Sequence, residues 1–349
     1  TKTHGGSSGG ASAVAAGYAP LALGTDGGGS IRIPASFAGI FGLKPSFGRV
    51  PAYPLSPFGT VAHVGPMTRT VADAARLLDI IARPDPRDWH ALPPPDQRYA
   101  EALDGGLCGL RVAWSPDLGF AEVDPEVAAL TADAVRRMAD LGADVVRVDP
   151  GFEDPRAIFR ILWWAGARAA LGHLPPEQRH RLDPGLARAL DQAAAITLDD
   201  YLAATRTRGA LGSQMRQFMA AHDLLVTPAM PIPAFEAGRL SPGADDPHWA
   251  WLGWTPFSYP FNLTQQPAAS LQFCNGPHGK PRLHDDAWHF NLSHSGSWLV
   301  LALCPQGPLG VDIELGKRRH HPLPLARRFY AQSEYEWLCT RPAQEQESA

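Results

Sequence analysis

Two glycine- and serine-rich runs, GGSSGG at residues 5–10 and GTDGGGS at residues 24–30, constrain this chain more than any other feature. Glycine lets a backbone turn tightly and aim several N–H groups at one spot, so each run predicts a nest rather than a regular element. Between them, the Ala-rich residues 11–16 predict a helix with its N-terminus toward the serines, and 21–23 a short buried strand. A further short helix is expected over 31–38. A nest that ends in a serine, Ser30, suits an oxyanion hole with a nucleophile beside it. Phosphate binding is the rival use of such loops. However, no G-x-x-x-x-G-K-[ST] is present, and no G-x-G-x-x-G follows a strand with an acid ~20 residues on.

Downstream, 71–82 has the apolar spacing of a helix, and the Pro-rich stretch 84–95 reads as a surface loop. A strand at 110–114, an amphipathic helix at 125–141 and a strand at 144–148 follow in the order of a βαβ unit, which predicts an α/β fold. Helices are expected at 153–171, 186–195 and 198–220, and a strand at 224–227. The aromatic, Pro-rich segment 242–266 reads either as a packed irregular loop or as a wall of an acyl-binding pocket. After about residue 271 the texture changes to short alternating segments at 288–292, 298–303 and 309–314, followed by helical spacing at 323–330 and 333–338. The chain is therefore divided into a first domain, 1–271, and a small α+β fragment, 272–349.

Composition narrows the function classes. With 31 basic against 35 acidic residues and a net charge of −4, the chain offers nothing to nucleic acid or to anionic lipid. No apolar run approaches the ~20 residues of a membrane span. Four cysteines, none at C-x-x-C spacing, read as buried thiols of a cytoplasmic protein. Lysine supplies only Lys2, Lys44, Lys280 and Lys317 among the basic residues.

From Gly5 to Asp73 the pieces GGSSGG, PLALGTDGGGSIRIPASFAGIFGLKPSFGRV and HVGPMTRTVADAARLLD resemble the amidase-signature family of serine hydrolases. LLVTPAMPIPAF (224–235) and WTPFSYPFNLTQQPAAS (254–270) resemble that family's closing part, so the likeness spans about 5–271. It implies a mixed sheet sandwiched by helices, hydrolysis of a small-molecule amide without a cofactor, and a triad of serine, cis-serine and lysine. Ser30 falls on the nucleophile and Ser7 on the cis serine. Gly27, Gly28, Gly29 and Ser30 fall on the oxyanion hole. Asp26 and Arg32 fall on flanking charges read as a bracing ion pair. His4 and His63 are read as bystanders. The family's lysine lies several dozen residues before the serine loop, in a segment this chain is expected to lack. Arginine stays protonated and cannot replace it. Impaired turnover is the consequence expected.

Residues 272–349 carry a second likeness. GKP (279–281), HFNLSHSG (289–296), GVDIE (310–314) and LARRFYAQSEYEWL (325–338) resemble 4′-phosphopantetheinyl transferases. The resemblance implies coenzyme A contacts from Lys280, Ser293 and His294, Mg²⁺ held by Asp312 and Glu314, and an acyl or peptidyl carrier protein as partner. Asp312 and Glu314 alternate on one expected strand, which puts both carboxylates on one side. The family's W-x-x-K-E segment is not found. Three readings therefore stand together: an amidase, a transferase, and an inactive fusion of two gene remnants.

Overall fold

The elements of the chain follow local sequence signals closely. Helix α3 (Val71–Ile81) starts where Thr70 accepts the Asp73 N–H, and α4 (Pro125–Asp140) starts with Pro at its first turn and Asp124 accepting the Glu126 N–H. Helix α8 (Leu198–Ala220) opens on a capping box between Thr197 and Asp200. The computed structural model describes residues 6–103, 106–236, 238–239, 241–243 and 252–270, together with the backbone of 274–275, 281–282, 289–295 and 298–304. It divides into two compact units, Thr1–Leu283 and His284–Ala349.

In the first unit, α1 (Ser8–Ala15) precedes β1 (Leu21–Asp26), α2 (Arg32–Ala38), β2 (Phe41–Lys44) and β3 (His63–Thr68). These strands form a four-stranded antiparallel sheet in the order β1-β3-β2-β7, closed by β7 (Ala268–Ser270). The expected βαβ unit is present: β4 (Arg111–Trp114), α4 and β5 (Asp144–Arg147), with β5 and β6 (Leu224–Val226) flanking β4 in parallel. Helices α5 (Arg156–Leu171), α6 (Pro176–Arg179) and α7 (Pro184–Ala193) lie between β5 and α8 in sequence, and α9 (Tyr259–Leu263) precedes β7. Parallel and antiparallel pairing with covering helices make this a mixed α/β fold. A two-stranded pair, β8 (Cys274–Asn275) and β9 (Pro281–Arg282), ends the unit. In the second unit the described residues form an antiparallel pair, β10 (His289–Ser295) and β11 (Trp298–Cys304).

Three sequence expectations change. Leu21 and Leu23 are not buried: they are 41% and 54% exposed, and Gly24 and Asp26 carry the inward side of β1. The strand is at the edge of its sheet, and its period of two turns the leucines outward. Cys108 is exposed rather than buried. Helices α6 and α9 lie where the sequence predicts only loop. Both begin on Pro at the first turn, a start signal that their short length and, in α9, the neighbouring aromatics obscure.

One side chain joins α2 to the sheet. Ile31 is fully buried, and a methyl group built on Gly24, Gly42 or Gly65 would meet it at 2.8, 3.0 and 3.2 Å. Three strands thus each expose a bare Cα under the same isoleucine. Around it, Ala11, Val14, Ala35, Ile40 and Met67 complete a core cluster. Replacing Ile31 by Ala leaves a cavity over three strands at once. The expected loss is about 2–4 kcal/mol, read as a lowered urea midpoint with unchanged m-value.

Candidate active site

The site grows from the carboxylate at the end of β1. Asp26 is fully buried, and Arg32, the first residue of α2, meets it with two guanidinium bonds of 2.9 Å. The same carboxylate accepts the N–H groups of Gly29 at 2.8 Å, Ile31 at 3.2 Å and Arg32 at 3.4 Å. Burial alone would raise the Asp26 pKa, but the Arg32 charge and hydrogen bonds, aided by Asn262, hold it well below the usual carboxylate range. The loop 26–32 is therefore wound around one ion pair, as the sequence expects of these two charges.

Two residues absent from the sequence reading complete this bracing. Asn262 of α9 donates to the Asp26 backbone oxygen, the Asp26 carboxylate and the Val61 oxygen, and accepts Arg32 Nη2 at 2.6 Å. Ser258 donates to the Gly28 oxygen at 2.7 Å, while its own backbone oxygen takes Arg32 Nη1 at 3.0 Å. They sit four residues apart among aromatics, a spacing that puts both on one helical face. A buried polar pair inside an otherwise aromatic run is the signal that finds them.

Ser7 and Ser30 are brought together. The Ser7 N–H donates to the Ser30 oxygen at 3.1 Å, and the Ser30 hydroxyl rests so close to Gly6 that a Cβ there would lie 2.8 Å from it. The Ser7 hydroxyl is engaged with the Thr25 backbone, donating to its oxygen at 3.2 Å and accepting its N–H at 3.1 Å. The expected cis bond at Ser7 is not observed: among the described residues the cis peptide is Tyr53–Pro54. A trans Ser7 keeps its N–H on Ser30 and its oxygen on Ala11 N, and so avoids the ~2.5–4 kcal/mol of a non-proline cis bond.

The oxyanion loop also needs correction. The N–H of Gly29 is taken by Asp26 and is not a free donor. Among the described residues, the N–H groups of Gly27, Gly28 and Ser30 carry no hydrogen bond. Gly29 instead serves the backbone: its φ is +123°, and a Cβ would lie 2.5 Å from Ile33 and 2.6 Å from the Ser258 hydroxyl. Helix α5 packs against the same loop along one stripe. Trp163 closes over Gly27, Phe159 lies 2.9 Å from a Cβ on Gly28, and Gly166 admits Phe58. The i, i+4 aromatic pair on α5 is the sequence signal for this wall.

A cavity of about 520 Å³ opens beside Gly27 and Ser30, with Phe58 and Trp163 stacked on each other along one wall. None of the described residues of the Trp-rich stretch 242–266 lines it. Trp254 packs instead with Phe37 and Phe235, which favours the packed-loop reading of that segment. His63 lines the cavity and is buried. Its Nδ1 faces the Val61 oxygen at 2.9 Å and the Asp26 oxygen at 3.3 Å, which assigns the proton to Nδ1, and Nε2 has no partner among the described residues. Burial, then the Lys44 charge, pushes its pKa down to about 3. Lys44 is itself fully buried, donating to the Pro45 and Gln266 oxygens, and burial followed by the Arg32 charge drives its pKa well below the usual lysine value.

His4, Lys2, Lys280, Asp312 and Glu314 fall outside the described residues. Ser293 and His294 fall on the β10 backbone, opposite Val300 and Leu299.

Comparison with known proteins follows the first unit. The family described as Amidase matches residues 1–282. An acylamidase from Rhodococcus erythropolis is 38% identical over 287 residues, which cover 79% of this chain and 59% of the relative. A glutamyl-tRNA(Gln) amidotransferase subunit from Chloroflexus aurantiacus is 35% identical over 310 residues, 80% of this chain and 62% of the relative. Among solved structures, a bacterial aryl acylamidase of the amidase-signature family aligns with a TM-score of 0.68 at 29% identity, covering 78% of this chain and 59% of that one. A 6-aminohexanoate cyclic dimer hydrolase with bound substrate gives 0.70 at 27% identity, covering 79% and 62%. The chain thus spans about three-fifths of the length of these proteins.

Two measurements test the electrostatics. Asp26→Asn leaves Arg32 buried beside a neutral amide, and a loss of about 3–5 kcal/mol in unfolding free energy is expected. For His63, the folded pKa lies below the unfolded value of 6.5. As pH falls from 6.5 toward 3, the unfolded chain takes up a proton that the folded chain refuses, so this group lowers stability across that window. Urea midpoints at about pH 7.5 and about pH 4.5 should therefore differ less in His63→Asn than in the parent chain.

Proposed function

This chain belongs to the amidase family, and we propose that it is a serine hydrolase of carbon–nitrogen amide bonds in small molecules, with Ser30 as nucleophile. The observation that carries the reading is local. Ser30 sits at the cavity, beside backbone N–H groups of Gly27, Gly28 and its own that have no partner among the described residues. Donors of this kind, aimed at a developing oxyanion, each contribute about 3–4 kcal/mol to an acyl transfer.

In the proposed sequence, Ser30 Oγ attacks the amide carbonyl as its proton passes to Ser7, which gives up its own hydroxyl proton to the base behind it; the same relay later returns a proton to the leaving amine. The tetrahedral intermediate places its oxygen on the N–H groups of Gly27, Gly28 and Ser30. The C–N bond then breaks, the amine leaves with the proton, and an acyl ester remains on Ser30. Water cleaves that ester and restores the serine. The family resemblance assigns the base behind Ser7 to a lysine amine. Lys44, the described lysine, is committed to two backbone oxygens, and the Ser7 hydroxyl to Thr25. We therefore propose slow turnover for the chain with the described arrangement: both serines are in place, and no described amine bonds to Ser7.

A fluorophosphonate probe reads this directly. One adduct per chain is expected by intact mass, absent in Ser30→Ala. In Ser7→Ala the labelling rate should fall by no more than about 10²-fold, the low end for a proton acceptor, because no described amine bonds to Ser7. Undiminished labelling of Ser30→Ala would place the nucleophile elsewhere.

A further inference from the structure

The walls of the cavity beside Ser30 carry a specificity of their own. Their apolar part is aromatic and rigid: Trp163 and Phe58 stack with ring centroids 3.9 Å apart, and Phe159 continues the stack at 5.6 Å from Trp163. Trp163 closes over Gly27, so this stack ends at the loop that receives the scissile carbonyl. Phe47, Pro51, Pro54 and Leu55 face it from the loop 46–56. That loop is anchored from behind. Arg49 donates to the Pro93 oxygen at 2.6 Å, and Asp88 takes the Ala52 N–H at 2.9 Å.

The charge balance of the same walls is equally informative. Apart from Tyr53, the ionisable side chains among the lining residues are Asp88 and His63. Both oxygens of Asp88 accept backbone N–H groups, from Ala52 and from His90 at 2.9 Å. His63 is a neutral imidazole whose Nδ1 proton is donated to the Val61 oxygen. The buried basic side chains Arg32 and Lys44 are committed elsewhere, to Asp26 and to Gln266. A ligand carboxylate would therefore be desolvated in the cavity without a cation among the described lining residues, which is strongly unfavourable. A neutral ring would meet an aromatic stack, where edge or face contacts add to area burial.

We propose that this cavity selects uncharged aromatic amides, with the aryl ring packed on the Trp163–Phe58 stack, and rejects amides that carry a carboxylate, such as glutamine. The inference rests on the cavity being the substrate site of the proposed hydrolase.

Binding without turnover separates the two claims. The full chain is titrated with benzamide, its anionic isostere benzoate, and L-glutamine, following saturation transfer from protein to ligand protons by NMR. Benzamide should bind at least ~10-fold tighter than either competitor, as expected when a charge is desolvated without a partner. Trp163→Ala should weaken benzamide by at least ~10-fold, and Trp163→Phe, which keeps a ring, by under ~3-fold. If Trp163→Ala does not fold, Phe58→Ala and the ligand order in the parent chain decide. No benzamide binding, benzoate or glutamine binding as tightly, or benzamide binding indifferent to both aromatic truncations would overturn the assignment. Ring-dependent benzamide binding in a chain whose Ser30 resists phosphonate labelling would uphold the ligand class and overturn the nucleophile.

Discussion

The buried pair of Asp26 and Arg32 is the interaction on which the rest of the site depends. Neither charge has water to fall back on, so each is held only by the other and by hydrogen bonds: Asp26 accepts from Asn262 and the loop backbone, and Arg32 donates to Asn262 and to the Ser258 oxygen. Burying such a pair is not in itself a large gain, because desolvation offsets most of the attraction. Its effect is one of placement. The carboxylate collects three backbone N–H groups of the loop, and in doing so determines which N–H groups of the glycine run remain free. The guanidinium reaches across to α9, more than two hundred residues later in the chain, and holds the far wall of the same loop.

Much of this was legible in the sequence, for physical reasons that differ from residue to residue. Asp26 and Arg32 flank a glycine loop at short separation, and opposite charges so placed have few alternatives to pairing. Ser7 and Ser30 could be matched because their loops are long and distinctive. Which N–H of the loop stays free could not be read, since that depends on the direction of one carboxylate. The leucines of β1 show the same limit: alternation tells that one face differs from the other, and position within the sheet decides which face is wet. Asn262, Ser258 and Trp163 escaped because their partners are distant in sequence and because aromatic neighbours make their segments look like ordinary core.

Helix α5 ties the cavity to the loop through packing rather than charge. Phe159, Trp163 and Gly166 form one stripe, each against a different part of the site: Gly28, Gly27 and Phe58. Tyr259 then donates to Asp154, just before α5, at 2.6 Å, linking that helix to α9. Arg208 of α8 adds a second tie, donating to the Leu263 oxygen at 2.8 Å and to Thr60. The polar network and the aromatic stripe thus converge on α9.

The isoleucine resting on three glycines has a consequence for how the chain reaches this state. If β1 slid along β3 by one residue, Leu23 or Thr25 would arrive where Gly24 lies, and Ile31 could not seat. Since Ile31 follows Ser30 directly, a mispaired sheet would also leave the serine unpresented. Faithful strand alignment and placement of the proposed nucleophile are therefore checked by one side chain, through shape alone.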